Sequence, residues 1–372
     1  MRILQLVKTS DAAEWAEYQM SNLVKEGYEV HVAMPLGGKV TEDYKRDGVI
    51  IHHIEYSLKN IVKSIRNLRR IVDEVKPDVI HSHFYITTLI MRLGLRNYNI
   101  PRIFQLPGPS HLYYPLLKKI DILLAQKRID YWVGSCQYSC DKYLESGIDK
   151  GRVFLSYYLR PKFDNNPYKD EKKLRKELGL PDTAIMIGMI SFMYPPKYYV
   201  GQTRGIKGHE DFIEAISIAS KVNPNIYGLC IGGAWDGHYK YERRIHRFAK
   251  KRTNHVIFCG TRNDVQQIYP ELFCAVQPSH QENLGGAAQA FFNGCPIIAS
   301  DTGGLPEIVV DGVSGYLFPV KQQKKLAAAI LKMVENPEKA YTMMRKGQEI
   351  MTKIMESNVG SIENIYSNIV DG

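Results

Sequence analysis

The residues best placed to do chemistry lie between Ser279 and Gly315. Pro278-Ser279-His280-Gln281-Glu282-Asn283-Leu284-Gly285 follows an apolar strand pattern. It leads into Gly294-Cys295-Pro296-Ile297-Ile298-Ala299-Ser300, then Thr302-Gly303-Gly304-Leu305-Pro306-Glu307-Ile308-Val309 and Asp311-Gly312-Val313-Ser314-Gly315. The order reads as a strand, a tight turn bearing a carboxylate, a helix, a strand and a glycine-rich turn. A carboxylate at a strand end, beside small residues, can reach sugar hydroxyls, and glycines let backbone approach a ligand closely. A helix N-terminus there offers unpaired N–H groups and the positive end of a dipole to phosphate. An α/β half-domain with ordinary turn glycines would share part of this pattern, so the rest of the chain must decide.

Positioning such a site takes buried parallel strands alternating with helices. Ile3–Val7, Glu29–Ala33, Val49–Ile54, Asp78–His81, Arg102–Gln105, Trp132–Ser135 and Val153–Leu155 read as strands, with helices over Ala12–Glu26 and Ile61–Val75. After a polar crossing rich in proline and charge, the alternation resumes. Ala184–Ser191, Ile226–Ile231, Val256–Cys259, Ala275–Gln277 and Pro296–Ala299 are its strands, and Phe212–Lys221 and Leu326–Glu335 its helices. At 372 residues the chain suits two α/β domains. We read 1–160 as the first domain, 161–183 as the connection, 184–345 as the second, and 346–372 as a helical tail returning to the first. In such sheets ligands sit at the carboxyl ends of the strands.

Composition narrows the function. The net charge of +10 suits an anionic partner. No apolar run approaches the roughly 20 residues needed to cross a bilayer, and Met1–Val7 reads as a strand rather than a signal peptide. A cytoplasmic protein is expected. The cysteines at 136, 140, 230, 259, 274 and 295 have no metal-like spacing and read as small core residues. Neither a Gly-x-x-x-x-Gly-Lys-[Ser/Thr] loop nor a Gly-x-Gly-x-x-Gly fingerprint occurs, which removes ATPase and dehydrogenase readings. The basic residues lack interleaved aromatics on a recognised module, which argues against nucleic acid.

Taken together, the Pro-Ser, glutamate, Gly-x-Pro and Gly-Gly-x-x-Glu-Ile-Val elements resemble the family-4 retaining glycosyltransferases of GT-B fold. So do Gly27-Tyr28-Glu29-Val30, Pro77-Asp78-Val79-Ile80-His81-Ser82-His83, Asp130-Tyr131-Trp132-Val133-Gly134-Ser135, Gly205-Ile206-Lys207-Gly208 and Ile257-Phe258-Cys259-Gly260. The resemblance runs nearly end to end. It implies an α/β protein of two Rossmann-like domains facing a central cleft, with an acceptor-binding first domain and a donor-binding second. The implied activity moves a hexosyl group from a UDP- or GDP-linked sugar to a carbohydrate or lipid-linked acceptor, in polysaccharide or glycoconjugate synthesis. No cofactor is implied, and the lack of any Asp-x-Asp argues against a metal bridging the donor phosphates.

The family's motif residues fall on this chain as follows. Glu282 contacts the donor sugar, Lys207 binds its diphosphate, and His111, in the loop Pro107–Leu112, lies near sugar and phosphate. Asn283, Leu284 and Gly285 line the donor, and the turn carrying Thr261 and Arg262 is where the base would be read. The second acidic position of the motif holds Gln289, which bonds hydroxyls without a charge. The arginine usual before the lysine is missing; Arg204 or Lys197 can take its place. Thr9–Trp15 replaces the family's first Gly-Gly loop, with small Ala12 and Ala13 in it. His81 and His83 are expected to point to opposite faces, so that at most one faces the cleft. No role is assigned to His52 and His53.

One stretch outside the motifs stands out. Lys59, Lys63, Arg66, Arg69 and Arg70 flank an apolar helical stripe, with Leu116–Arg128 able to enlarge the patch. Such a helix is either a packed element with a solvated basic face or a dock for an anionic membrane, placing the protein peripherally on the inner face. Two rivals to a transferase are a non-catalytic GT-B subunit that supports a partner enzyme and a nucleotide-sugar epimerase.

Overall fold

The computed structural model describes residues 1–11, 13–108, 110–159, 173–198, 201–358 and 360–371. Ala12, Pro109 and most of the connection, residues 161–172, lie outside them. The chain divides into two compact units: Met1–Arg160 with Ser357–Gly372, and Pro161–Glu356.

In the first unit the strands are β1 (Arg2–Leu6), β2 (Glu29–Met34), β3 (Ile50–His53), β4 (Val79–Ser82), β5 (Arg102–Gln105), β6 (Asp130–Gly134) and β7 (Val153–Leu155). They form one sheet in the order β3-β2-β1-β4-β5-β6-β7, with every pairing parallel. Strands such as β1 and β4 are apolar nearly throughout because helices cover both faces of a parallel sheet. One core layer gathers Ile3, Val30, Val79 and Ile103 against Ile362, Ile365, Tyr366 and Ile369 of the last helix, Ser361–Val370. The opposite layer packs Leu4, Leu6 and Ile80 against Leu68, Ile71, Ile90 and Met91.

The second unit holds β8 (Ile185–Ile190), β9 (Ile226–Ile231), β10 (Val256–Gly260), β11 (Cys274–Gln277), β12 (Ile297–Ser300) and β13 (Tyr316–Phe318). Their order is β10-β9-β8-β11-β12-β13, again all parallel. The three-residue β13 follows the glycine-rich turn and is too short to show in hydrophobic periodicity. Two helices follow towards the end of the chain, Pro337–Asn358 and then Ser361–Val370, which packs in the first unit. Lys173–Glu177, placed by the sequence in the connection, is a short helix whose Leu174 and Arg175 N–H groups donate to the Glu271 carboxylate.

The cysteines are all free thiols, buried except for half-buried Cys259. His81 and His83 do not point to opposite faces: their rings stack with centroids 4.2 Å apart. Side chains alternate along a strand with period two, so residues i and i+2 share a face. His83 donates from Nε2 to Gln5 Oε1 (2.6 Å) and lies 2.5 Å from the Tyr158 hydroxyl, while the Tyr366 hydroxyl sits 2.7 Å from His81 Nδ1. This buried polar network ties the last helix to the sheet.

Candidate active site

The site is built where the second sheet places two loops side by side. β8 and β11 are hydrogen-bonded neighbours, with Cys274 opposite Ile187 and Ala275 opposite Gly188. Their following loops therefore leave the same, carboxyl edge of the sheet. The β8 loop carries Lys207 and runs into the helix His209–Val222; the β11 loop carries Glu282 and runs into the helix Gly285–Phe292. The loops are tied by a backbone bond from His280 N–H to the Ile206 carbonyl, 2.8 Å.

Two glycines let them come that close. Gly208 has φ 77°, and a Cβ there would lie 2.0 Å from the Pro278 carbonyl oxygen. Gly303, in the turn after β12, has φ 60°, and a Cβ there would lie 1.8 Å from the Glu282 carbonyl oxygen. Only glycine combines this backbone region with the absence of a side chain. The Lys-Gly and Gly-Gly elements of the sequence are thus packing requirements of the Glu282 loop.

Lys207 Nζ lies 2.6 Å from Glu282 Oε2. The same oxygen accepts from Gln277 Nε2 (2.7 Å) and the Ser279 hydroxyl (2.9 Å), and Oε1 accepts from the Asn283 N–H (3.2 Å). Burial alone would raise this carboxyl. The Lys207 ammonium, with the bonds from Lys207, Ser279 and Asn283, outweighs it and holds Glu282 below the usual glutamate range. Glu282 keeps 11% of its side chain exposed and Lys207 22%, so the pair is sheltered but open on one side. Tyr194 lies beneath the lysine, its ring centroid 5.9 Å from Nζ, and is itself stacked on Trp235 at 4.8 Å.

Beside the pair, Leu284 is buried, while Gly285 opens the helix at the surface with no atom within 4 Å of where a Cβ would stand. Gln289 lies exposed one turn further along that helix. A helix N-terminus next to an ammonium and a carboxylate can take phosphate oxygens on its N–H groups and sugar hydroxyls on the carboxylate.

The remaining sequence-assigned residues are placed differently. Arg204 is paired with Asp211 and, at 3.3 Å, with Glu214. Arg262 is held by Asp264 (2.7 Å) and Glu177, and Thr261 packs against Gly233. Both guanidiniums thus already have carboxylate partners within the second unit. Lys197 is exposed, its backbone N–H bonded to Gln202. His111 belongs to the first unit, 2% exposed, with its ring among Tyr85, Phe104 and Tyr143 and Nε2 3.6 Å from Asp121. It is enclosed rather than presented to solvent. In the loop after β1, Ala13 takes the left-handed conformation at φ 77°, a position that glycine fills without strain.

The sequence assigns no individual role to Gln277, Ser279, His280 or Asp211. The signal for the first pair was there: Gln277 and Ser279 are two apart at a strand end, so both face Glu282. Asp211, 0% exposed, bonds Arg204, Gln323 and His280, joining segments too far apart in sequence to be paired by spacing.

On the first unit, the helix Ile61–Val75 buries Leu68, Ile71, Val72 and Val75, while Lys59, Lys63, Arg66, Arg69 and Arg70 are exposed. Arg70 pairs with Glu74 at 2.8 Å, and Arg69 Nε donates to the Gly94 carbonyl at 2.7 Å. Among the described residues no helix is long and apolar enough to cross a membrane.

The chain is similar to known proteins in sequence and in fold. The family described as Glycosyl transferases group 1 matches residues 195–350, and that described as Glycosyltransferase Family 4 matches residues 14–155. The capsular polysaccharide biosynthesis glycosyltransferase CapM of Staphylococcus aureus is 22% identical over 99% of this chain and 97% of its own length. The UDP-Gal:alpha-D-GlcNAc-diphosphoundecaprenol alpha-1,3-galactosyltransferase of Escherichia coli is 21% identical over 100% of this chain and 96% of its own. In fold, the chain is similar to Anabaena HepE solved in complex with UDP and glucose, with TM-score 0.81 and 19% identity over 99% of this chain and 100% of that one. With both halves matched and two parallel Rossmann-like sheets in place, the chain belongs to the group 1 glycosyltransferases of GT-B fold.

Proposed function

We propose that this protein is a retaining transferase that moves a hexosyl group from a UDP- or GDP-linked sugar to a carbohydrate or lipid-linked acceptor in cell-surface polysaccharide or glycoconjugate synthesis. The observation that carries the reading is the Lys207–Glu282 pair, 2.6 Å apart, beside the open N-terminus of the helix Gly285–Phe292. The second unit binds the donor and the first the acceptor. The donor diphosphate draws the Lys207 ammonium, while ionised Glu282 accepts from sugar hydroxyls. Gly285 presents its backbone N–H group, Asn283 lines the donor while its own N–H holds Glu282, Leu284 packs below them, and exposed Gln289 bonds the ribose hydroxyls. The turn at Thr261 and Arg262 borders the base. Arg204, bound to two carboxylates, acts from behind Lys207, and enclosed His111 braces the first unit's loop toward the acceptor.

In the transfer, the bond from the anomeric carbon to the diphosphate oxygen breaks as the acceptor oxygen attacks from the same face. The acceptor's proton passes to the leaving phosphate oxygen, so no separate protein base is needed. Lys207 stabilises the charge that develops on that diphosphate, a role that requires no bridging divalent metal. Support for a nucleoside diphosphate sugar and a diphospholipid-borne acceptor comes from HepE, solved with UDP and glucose, and from the E. coli relative named for both. The basic helix Ile61–Val75, with Leu58 and Val62 exposed beside its cations, docks on anionic lipid and brings the protein to such acceptors.

The test is a screen of UDP- and GDP-sugars for nucleoside diphosphate release, with membrane extract as acceptor and with EDTA present. Turnover of one donor with the anomeric configuration kept in the product is expected. Binding of no nucleotide by calorimetry would instead favour a non-catalytic subunit.

A further inference from the structure

We propose that His280 is a positioning residue that keeps Lys207 and Glu282 in register through the buried carboxylate of Asp211; the proposal rests on the transferase reading of the Lys207–Glu282 site. His280 sits between Ser279 and Glu282 in the loop after β11, and its N–H, carbonyl and Nε2 each bond to another segment. Its N–H donates to the Ile206 carbonyl at 2.8 Å, fixing the residue before Lys207. Its carbonyl accepts from the Thr302 hydroxyl at 3.4 Å, fixing the turn whose Gly303 supports Glu282. Its Nε2 donates to Asp211 Oδ2 at 2.5 Å.

Asp211 is a junction rather than a simple partner. It lies in the first turn of the helix His209–Val222, 0% exposed, and its other oxygen accepts from Arg204 and from Gln323. Arg204 precedes Lys207 in the same loop. One carboxylate thus holds the Lys207 loop through Arg204 and the Glu282 loop through His280, and fastens both to a helix end at Gln323. Burial would raise the Asp211 carboxyl, but the bonds from His280 and Gln323 and the charge of Arg204 hold it below the usual range, so it remains an acceptor. Two reacting groups on separate loops need such a link, because a displacement of about 1 Å costs on the order of a hundredfold in rate.

The decisive pair of variants is His280→Met and His280→Gln. Both keep the volume, but only glutamine keeps an N–H donor that can reach Asp211. Donor turnover is expected to fall about tenfold or more in H280M and to return to within about threefold of wild type in H280Q, with folding unchanged in melting curves. A second readout is independent of turnover: the Lys207 ammonium resonance in ¹⁵N NMR, assigned by its loss in K207R. It is expected to persist in wild type and H280Q and to broaden away in H280M. H280M with wild-type turnover and an unchanged Lys207 signal would overturn the proposal. So would H280Q as impaired as H280M, or an H280M protein that no longer folds, which would make the contact structural. If wild type turns over no nucleotide sugar, the transferase reading fails, and the NMR comparison still decides whether His280 holds Lys207.

Discussion

Lys207 and Glu282, 75 positions apart, meet at 2.6 Å because β8 and β11 are adjacent parallel strands whose loops leave the same edge. Neither residue could be anchored there alone. The glutamate is held by Gln277, Ser279 and the Asn283 N–H, and the lysine by the glutamate.

Removal of either member is expected to abolish most transfer. Lys207→Ala and Glu282→Ala should each lower turnover by about 10²- to 10³-fold, with Lys207→Ala also raising the donor KM. Nucleoside diphosphate release over a donor concentration series measures both parameters. Wild-type rates in either variant would remove the pair from the mechanism.

The glycines beside it should separate fold from function. Gly303→Ala forces a side chain into the Glu282 carbonyl at φ 60° and should cost about 1–3 kcal/mol of stability along with activity. Gly285→Ala meets open space, so its stability should stay within about 0.5 kcal/mol of wild type. Its methyl group stands where phosphate would approach, and UDP or GDP binding should weaken. Melting curves and calorimetry on the two variants check the contrast.

Acid stability should report on the first unit's histidine stack. Burial pushes His83 down to about 3 from its ordinary 6.5. The folded chain keeps it neutral while the unfolded chain takes up a proton below 6.5, so stability is lost as pH falls from 6.5 toward 3. In His83→Gln that proton uptake is absent. The stability advantage of wild type over the variant should therefore shrink by up to about 1.4 kcal/mol per pH unit in this window. Urea titrations at pH 7.5, 6 and 5 would show it, and a constant gap would contradict it.

The exposed cations around the helix Ile61–Val75 make membrane docking testable by charge. The triple variant K59Q/K63Q/R66Q should bind vesicles of phosphatidylglycerol and phosphatidylcholine tenfold or more weakly, taking about 1 kcal/mol per cation. Transfer to a soluble acceptor should not change. Co-sedimentation that is equal for neutral and anionic vesicles would show the basic face to be merely solvated.

Most of the fold was legible because it rests on local periodicity. Apolar runs such as Ile185–Ile190 and Ile226–Ile231 have to be buried on both faces, and that pattern identifies parallel strands directly. β13 escaped because three residues after a turn carry no period. The histidine stack differs for the opposite reason: the pattern is present, but positions 81 and 83, at the end of β4 and just beyond it, share a face rather than opposing each other.

By itself the sequence determined the alternation of strands and helices and the family, and it put Glu282 and Lys207 forward as candidate site residues. These follow from residue type and short spacing. The tertiary structure decided which polar groups meet. It turned Arg204 onto Asp211, enclosed His111 among aromatic rings, left Gln289 exposed, and set Gly208 and Gly303 against the Glu282 loop. The surroundings of His111 and the two glycine contacts are non-local and follow from strand order, and hydrogen bonds and close backbone approaches depend on tenths of an ångström that spacing along a chain does not carry.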